Sequence, residues 1–198
     1  MAIKQATKTH WDWSEAGDEG REEDSHEYLK IKGSFIYEKN LKPEFAWYNG
    51  TADRYLLGDE LEEGDVTALN HPNGDIRDPD ARIWPFKVHY AVQPYDAQNN
   101  YLMQPVTSGA GGYWKEVDWD QALRLGADVT GMAYSGEFGF TSTTMYLPQT
   151  HMVAPKSQAL QCKACHCEDG CIDWEKLGFP GDPIKWGSPE RIRAEVAQ

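Results

Sequence analysis

A chain of 198 residues with a formal net charge of −13 is long enough to bury a core, and it fits one domain or one domain with an arm. Acidic runs at residues 18–24 and 59–65, with no basic footprint to meet phosphates, exclude nucleic-acid binding as a principal role. No apolar stretch approaches the length of a membrane-spanning helix. Eight Trp and ten Tyr stand beside 18 Gly and 11 Pro, so the chain requires flat aromatic packing partners.

In chain order, His10 precedes Trp11-Asp12-Trp13, and His26 sits in an acidic stretch. Residues 45–57 read as a hairpin about Asn49-Gly50, a pair suited to a two-residue turn. Asn49-Gly50-Thr51 also forms a glycosylation sequon. Residues 66–82, rich in Pro, Asn, Gly and Asp, read as a long surface connection that includes His71. Residues 83–92 are predicted to be extended but interrupted at Pro85, with His89 after Pro85-Phe86-Lys87-Val88. Asp118 is predicted to cap a helix ending near Gly131. Residues 154–164 are predicted to form a short helix, and Ser188-Pro189-Glu190 to open a terminal helix reaching Val196. The expected fold is therefore mainly irregular, with short α-helices and a few short strands. Residues 1–198 are expected to form a single region, in which 1–80 are an extended arm with loops.

Cys162-Lys163-Ala164-Cys165-His166 has the C-x-x-C-H spacing that is the attachment signature of c-type haem. The short elements are therefore expected to pack around haem, residues 1–198 to be a single haem-binding region and 81–198 to lie near the haem. Cys162 and Cys165 can each form a thioether to a haem vinyl group, and His166 is then held under the iron as its proximal ligand. The same donors with Cys167 and Cys171 could enclose zinc, but structural zinc sites usually separate two ligand pairs by a dozen or more residues. Cys167 and Cys171 read as a small disulfide or as free thiols beside the haem. One haem needs one more axial ligand, His or Met. His89 and His151, in apolar or proline-fixed surroundings, are the expected axial ligands. His10 and His26 are further candidates, directed to neighbouring haems, and His71 ranks lowest. Met103, Met132, Met145 and Met152 are alternatives, although Met more often fills a core.

The surplus of histidines is accounted for by a resemblance. Thr9-His10-Trp11-Asp12-Trp13, Tyr28-Leu29-Lys30-Ile31-Lys32-Gly33-Ser34-Phe35, Trp47-Tyr48-Asn49-Gly50, Pro85-Phe86-Lys87-Val88-His89, Gln93-Pro94-Tyr95-Asp96 and His151-Met152-Val153-Ala154-Pro155 resemble the carboxy-terminal part of the octahaem tetrathionate reductase family of c-type cytochromes. Cys162 to His166, followed by Asp173-Trp174-Glu175-Lys176-Leu177-Gly178 and Gly181-Asp182-Pro183, resembles that family's last haem motif and tail. The resemblance implies periplasmic or extracellular proteins with eight covalent haems that reduce tetrathionate, nitrite or hydroxylamine. It also implies seven further haem motifs, and a substrate-binding haem with a lysine ligand, in a region preceding this sequence. Cys167 and Cys171 depart from the pattern, standing where small or polar residues are expected.

The first thirteen residues contain no apolar signal core, so the expectation is part of a longer exported polypeptide. The leading functional reading is a haem c electron-transfer component of a multihaem assembly, not catalytic by itself, with one covalent haem on this chain. Its partners are a multihaem chain or a missing amino-terminal region, and redox proteins. The alternatives are a free-standing monohaem shuttle and a zinc- or disulfide-stabilised binding protein without redox activity.

Overall fold

The computed structural model describes residues 5–61, 66–150, 155–167 and 169–186. Nine strands form one mixed sheet: β1 (Thr7–Asp12), β2 (Tyr28–Leu29), β3 (Gly33–Glu38), β4 (Glu44–Tyr48), β5 (Ala52–Arg54), β6 (Thr67–Pro72), β7 (Arg82–Asp96), β8 (Tyr101–Leu102) and β9 (Phe138–Pro148). Their order is β2-β3-β1-β7-β9-β6-β5, and β4 and β8 also pair with β7. The helices are α1 (Tyr113–Glu116), α2 (Trp119–Thr130) and α3 (Pro183–Trp186).

The organising element is β7, 15 residues long, in which aromatic and β-branched side chains outnumber turn formers. Its residues Phe86 to Asp96 run antiparallel to β9 from Pro148 back to Phe138. Along its length β7 also pairs with β4 from Arg82 to Phe86, with β1 in parallel from Tyr90 to Val92, and with β8 at Tyr95 and Asp96. Pro85 therefore does not interrupt the strand. It lies opposite Phe45, and its carbonyl accepts the Gln149 N–H at 3.0 Å.

These pairings correct four expectations. The strands are longer and more numerous than the few short ones expected, and residues expected as an arm supply six of the nine, β1 to β6. The hairpin about Asn49-Gly50 does not form, because β4 pairs with β7 while β5 pairs with β6. Asn49 instead folds its side chain onto the Thr51 N–H at 3.0 Å, and its own N–H binds the Asn73 carbonyl at 2.8 Å. Within the expected 66–82 connection, Thr67–Pro72 is a strand seated between β5 and β9. Residues 154–164 hold two single 3-10 turns, Lys156–Gln158 and Cys162–Ala164, in place of one helix. The expected helix opening at Ser188 lies outside the described residues.

Helix α2 matches its expectation at both ends. The Asp118 carboxylate accepts the Gln121 N–H at 3.1 Å, and the helix stops at Gly131, whose N–H binds the Ala127 carbonyl at 2.8 Å. Leu123 and Ala127 on its buried face pack with Met103, Tyr101 and Tyr134. Met103 is thus core filling. Many aromatics pack on one another, as in the run Trp11, Trp13, Trp119 and Tyr113. A second core joins Ile76, Leu177 and Phe179 to Phe45, Trp47, Ile83, Ile172 and Trp174, and it docks the cysteine-bearing tail onto β4 and β7.

Candidate functional site

The C-x-x-C-H segment sits on a tight backbone frame. The 3-10 turn Cys162–Ala164 ends with the Cys165 and His166 N–H groups both donating to the Cys162 carbonyl, at 3.2 and 2.9 Å. A second turn, closed by Gly170 N–H to the Cys167 carbonyl at 3.0 Å, returns the chain so that the Cys171 N–H reaches the Ala164 carbonyl at 2.7 Å. Gly170 is required at this return, because a Cβ there would lie 2.5 Å from the Cys165 carbonyl oxygen.

The His166 ring is fixed on two sides. Its Nδ1 lies 2.8 Å from Asp182 Oδ1, and its face stacks on Trp174 with centroids 5.0 Å apart and planes 18° from parallel. Asp182 is itself positioned by the Ile184 N–H at 3.0 Å, and the His166 hydrogen bond holds its carboxyl below the ordinary range. Trp174 donates its indole N–H to the Cys165 carbonyl at 3.1 Å, so one residue both stacks the imidazole and anchors the adjoining cysteine.

All four cysteines are free thiols, with Cys162 and Cys167 exposed and Cys165 and Cys171 partly buried. The sulfurs of Cys165 and Cys171 are 3.5 Å apart. Burial, with the adjoining Cys171 thiol, pushes Cys165 up to about 11. The Cys167–Cys171 disulfide is therefore not formed. Among the described residues no group of three or more His, Cys, Asp or Glu side chains is arranged to hold a metal ion.

The donor set fits a covalent haem. Two free thiols stand at the required spacing, and a carboxylate on Nδ1 leaves Nε2 as the nitrogen able to bind iron. Carboxylate support of this kind orients the ring and raises its basicity as a ligand.

The other histidines divide by position. His89, half-buried on β7, places Nδ1 3.3 Å from the Lys8 carbonyl, and burial pushes its pKa down. His10 on β1 lines a groove of about 410 Å³ with Ile36, Lys42, Glu44, Val88 and Tyr90. The rim of that groove meets the cysteine tail: Lys42 Nζ donates to the Gly170 carbonyl at 3.1 Å, and Lys176 pairs with Glu44 at 2.6 Å. His10 and exposed His26 share a second, more open groove of about 620 Å³ with Glu15, Arg21 and Glu27. His71 is exposed, edge-on to Tyr146 at 5.3 Å. His151 and Met152 lie outside the described residues.

Asp182 and Trp174 are partners of His166 that the sequence alone does not single out. Their signal is weak, since an acid 16 residues away and a Trp 8 residues away have no helical or strand spacing to announce them. Among the described residues no helix is long and apolar enough to cross a membrane.

Residues 8–169 match the protein family described as bacterial cytochrome c. The crystal structure of an octaheme cytochrome c from Shewanella oneidensis superposes with a TM-score of 0.89 at 47% sequence identity, over 93% of this chain and 45% of that one. The chain thus spans less than half the length of that neighbour. No curated protein matches.

Proposed function

Because the chain belongs to the bacterial cytochrome c family, we propose that it is the haem-bearing electron-transfer part of a multihaem cytochrome, carrying one covalent haem c. The carrying observation is the His166 arrangement: Nδ1 fixed by Asp182, the ring face fixed by Trp174, and two free thiols on the adjoining turn. In this reading Cys162 and Cys165 would hold the haem by thioether links, and His166 would ligate its iron through Nε2. Haem c supplies reversible one-electron chemistry at iron. The protein's part is to orient the imidazole and hold the two attachment sulfurs on a single turn.

His89 and His151 are assigned as axial ligands, and His10 and His26 as ligands to haems held by the rest of the assembly. The grooves beside His10 and His26 support this, because each presents an imidazole at an open concave surface. The larger assembly is read as an exported, periplasmic or extracellular reductase of tetrathionate, nitrite or hydroxylamine. Catalysis belongs to that assembly rather than to this chain.

The test is maturation of the chain in a host competent for haem attachment, followed by pyridine haemochrome assay and peptide mass mapping. One haem per chain on the peptides bearing Cys162 and Cys165, abolished by Cys162→Ser with Cys165→Ser, is expected. A colourless product from the mature chain would reject the reading.

A further inference from the structure

Cys171 has no part in haem attachment, yet its sulfur lies 3.5 Å from that of Cys165. The approach is built by the backbone. The Cys171 N–H is bonded to the Ala164 carbonyl, Gly170 lets the return pass against the Cys165 carbonyl, and Trp174 holds that carbonyl from the other side. Among the described residues, the thiol that Cys165 meets at hydrogen-bonding distance is Cys171 rather than its motif partner Cys162. Sulfurs at this separation need to close by about 1.5 Å to reach the roughly 2.05 Å of a disulfide, within the reach of side-chain torsions on a fixed backbone. Two of the four thiols are exposed, so small redox reagents have access to the segment.

We propose that Cys165 and Cys171 form a reversible disulfide that withholds Cys165 from haem attachment until a dithiol reductant opens it. The consequence for attachment rests on the haem c reading above; the bridge itself does not. Closure follows thiol–disulfide exchange with a low-molecular-weight disulfide such as oxidised glutathione. One cysteine thiolate attacks a glutathione sulfur, releasing one glutathione thiol. The second cysteine thiolate then attacks the mixed disulfide, forming the Cys165–Cys171 bond and releasing the other glutathione. Two protein thiols are oxidised, and one glutathione disulfide is reduced to two thiols. A dithiol reverses both steps and is itself oxidised to a disulfide.

Two measurements on the full chain test this separately. In the first, haem-free chain is equilibrated in glutathione buffers from reducing to oxidising and its thiols are trapped with N-ethylmaleimide. Peptides 157–163 and 164–176, and any bridged pair of them, are then fragmented by mass spectrometry. The expected result in oxidising buffer is two adducts, on Cys162 and Cys167, with a Cys165–Cys171 bridge. Four adducts throughout, or a bridge that includes Cys162 or Cys167, would overturn the proposal. In the second, haem attachment is measured in a maturation-competent host with and without added dithiol. Wild-type yield is expected to rise several-fold with the dithiol, while Cys171→Ser and Cys171→Ala reach that yield without it. Equal dependence on the dithiol in wild type and both variants overturns the withholding role. Failure of all three chains to attach haem overturns the haem reading and the withholding role together, and the bridge is then decided by the mass measurement alone.

Discussion

Asp96 is the residue on which the far end of the long strand depends. Fully buried, its carboxylate accepts hydrogen bonds from the backbone N–H groups of Ser135, Asn99 and Gln98 at 2.6, 2.8 and 3.0 Å, and from the Ser135 hydroxyl at 2.8 Å. Burial alone would push this carboxyl up, but the donors outweigh it and hold the pKa below the ordinary 3.8. A carboxyl depressed on folding stabilises the native state above its unfolded pKa, and that contribution is lost as pH falls through the folded one. Asp96→Asn replaces a charged acceptor with an amide that cannot satisfy the same donors, at a cost of about 2 kcal/mol at neutral pH. Urea unfolding at neutral pH and in acid is the check: the gap between wild type and variant should narrow as pH drops below 3.8. A gap that stays constant with pH would mean that the ionised carboxylate is not what matters. The sequence offered Asp96 only within a string of resemblance, since its Ser135 partner lies 39 residues away.

At the scale of elements, what could be read was what is locally determined. Helix α2 was legible because its cap, Asp118, and its stop, Gly131, act through bonds three or four residues long. Strand β6 was not legible, because Asn-His-Pro-Asn-Gly reads as a turn until Asn70 is seen bonding Tyr146 in both directions, at 3.0 Å to its carbonyl and 2.6 Å from its N–H. The Asn49-Gly50 hairpin failed for the same reason: β7 offered β4 a longer partner than β5 could. Within α2, Gly126 tests whether packing overrides propensity. Alanine is favoured over glycine in a helix by about 1 kcal/mol. Yet a Cβ at Gly126 would fall 1.8 Å from the Gln104 carbonyl oxygen, a backbone atom that cannot step aside cheaply. Gly126→Ala is therefore expected to destabilise by about 3 kcal/mol, as overpacking of a fixed contact does. Thermal or urea unfolding decides it, and a variant as stable as wild type would mean that the helix can shift away from residue 104.

Over the whole molecule, the candidate site is a short irregular tail made rigid by the sheet it docks on. The C-x-x-C-H motif was legible because covalent attachment dictates its spacing, whereas Trp174 and Asp182 became partners of His166 only once the tail had folded back. The link between tail and sheet runs through Trp47 of β4. Its indole N–H donates to the Leu177 carbonyl at 2.8 Å, its ring stacks on Phe179 with centroids 6.0 Å apart, and Phe179 meets Trp174 edge-on at 5.5 Å. The chain of contacts from sheet to His166 is thus Trp47, Phe179, Trp174. Trp47→Ala removes a partly buried ring and orphans a carbonyl, and is expected to weaken tail docking by about 3 kcal/mol. Because local opening draws on local contacts, the loss should be confined to the tail while α2, with its separate core, keeps its protection. Hydrogen exchange should therefore accelerate over residues 161–180, and trypsin should cut sooner after Lys163 and Lys176 but not after Arg124. Uniform acceleration across the chain would instead mean that tail and sheet unfold as one cooperative unit, and that the sheet owes its stability to the tail as much as the reverse.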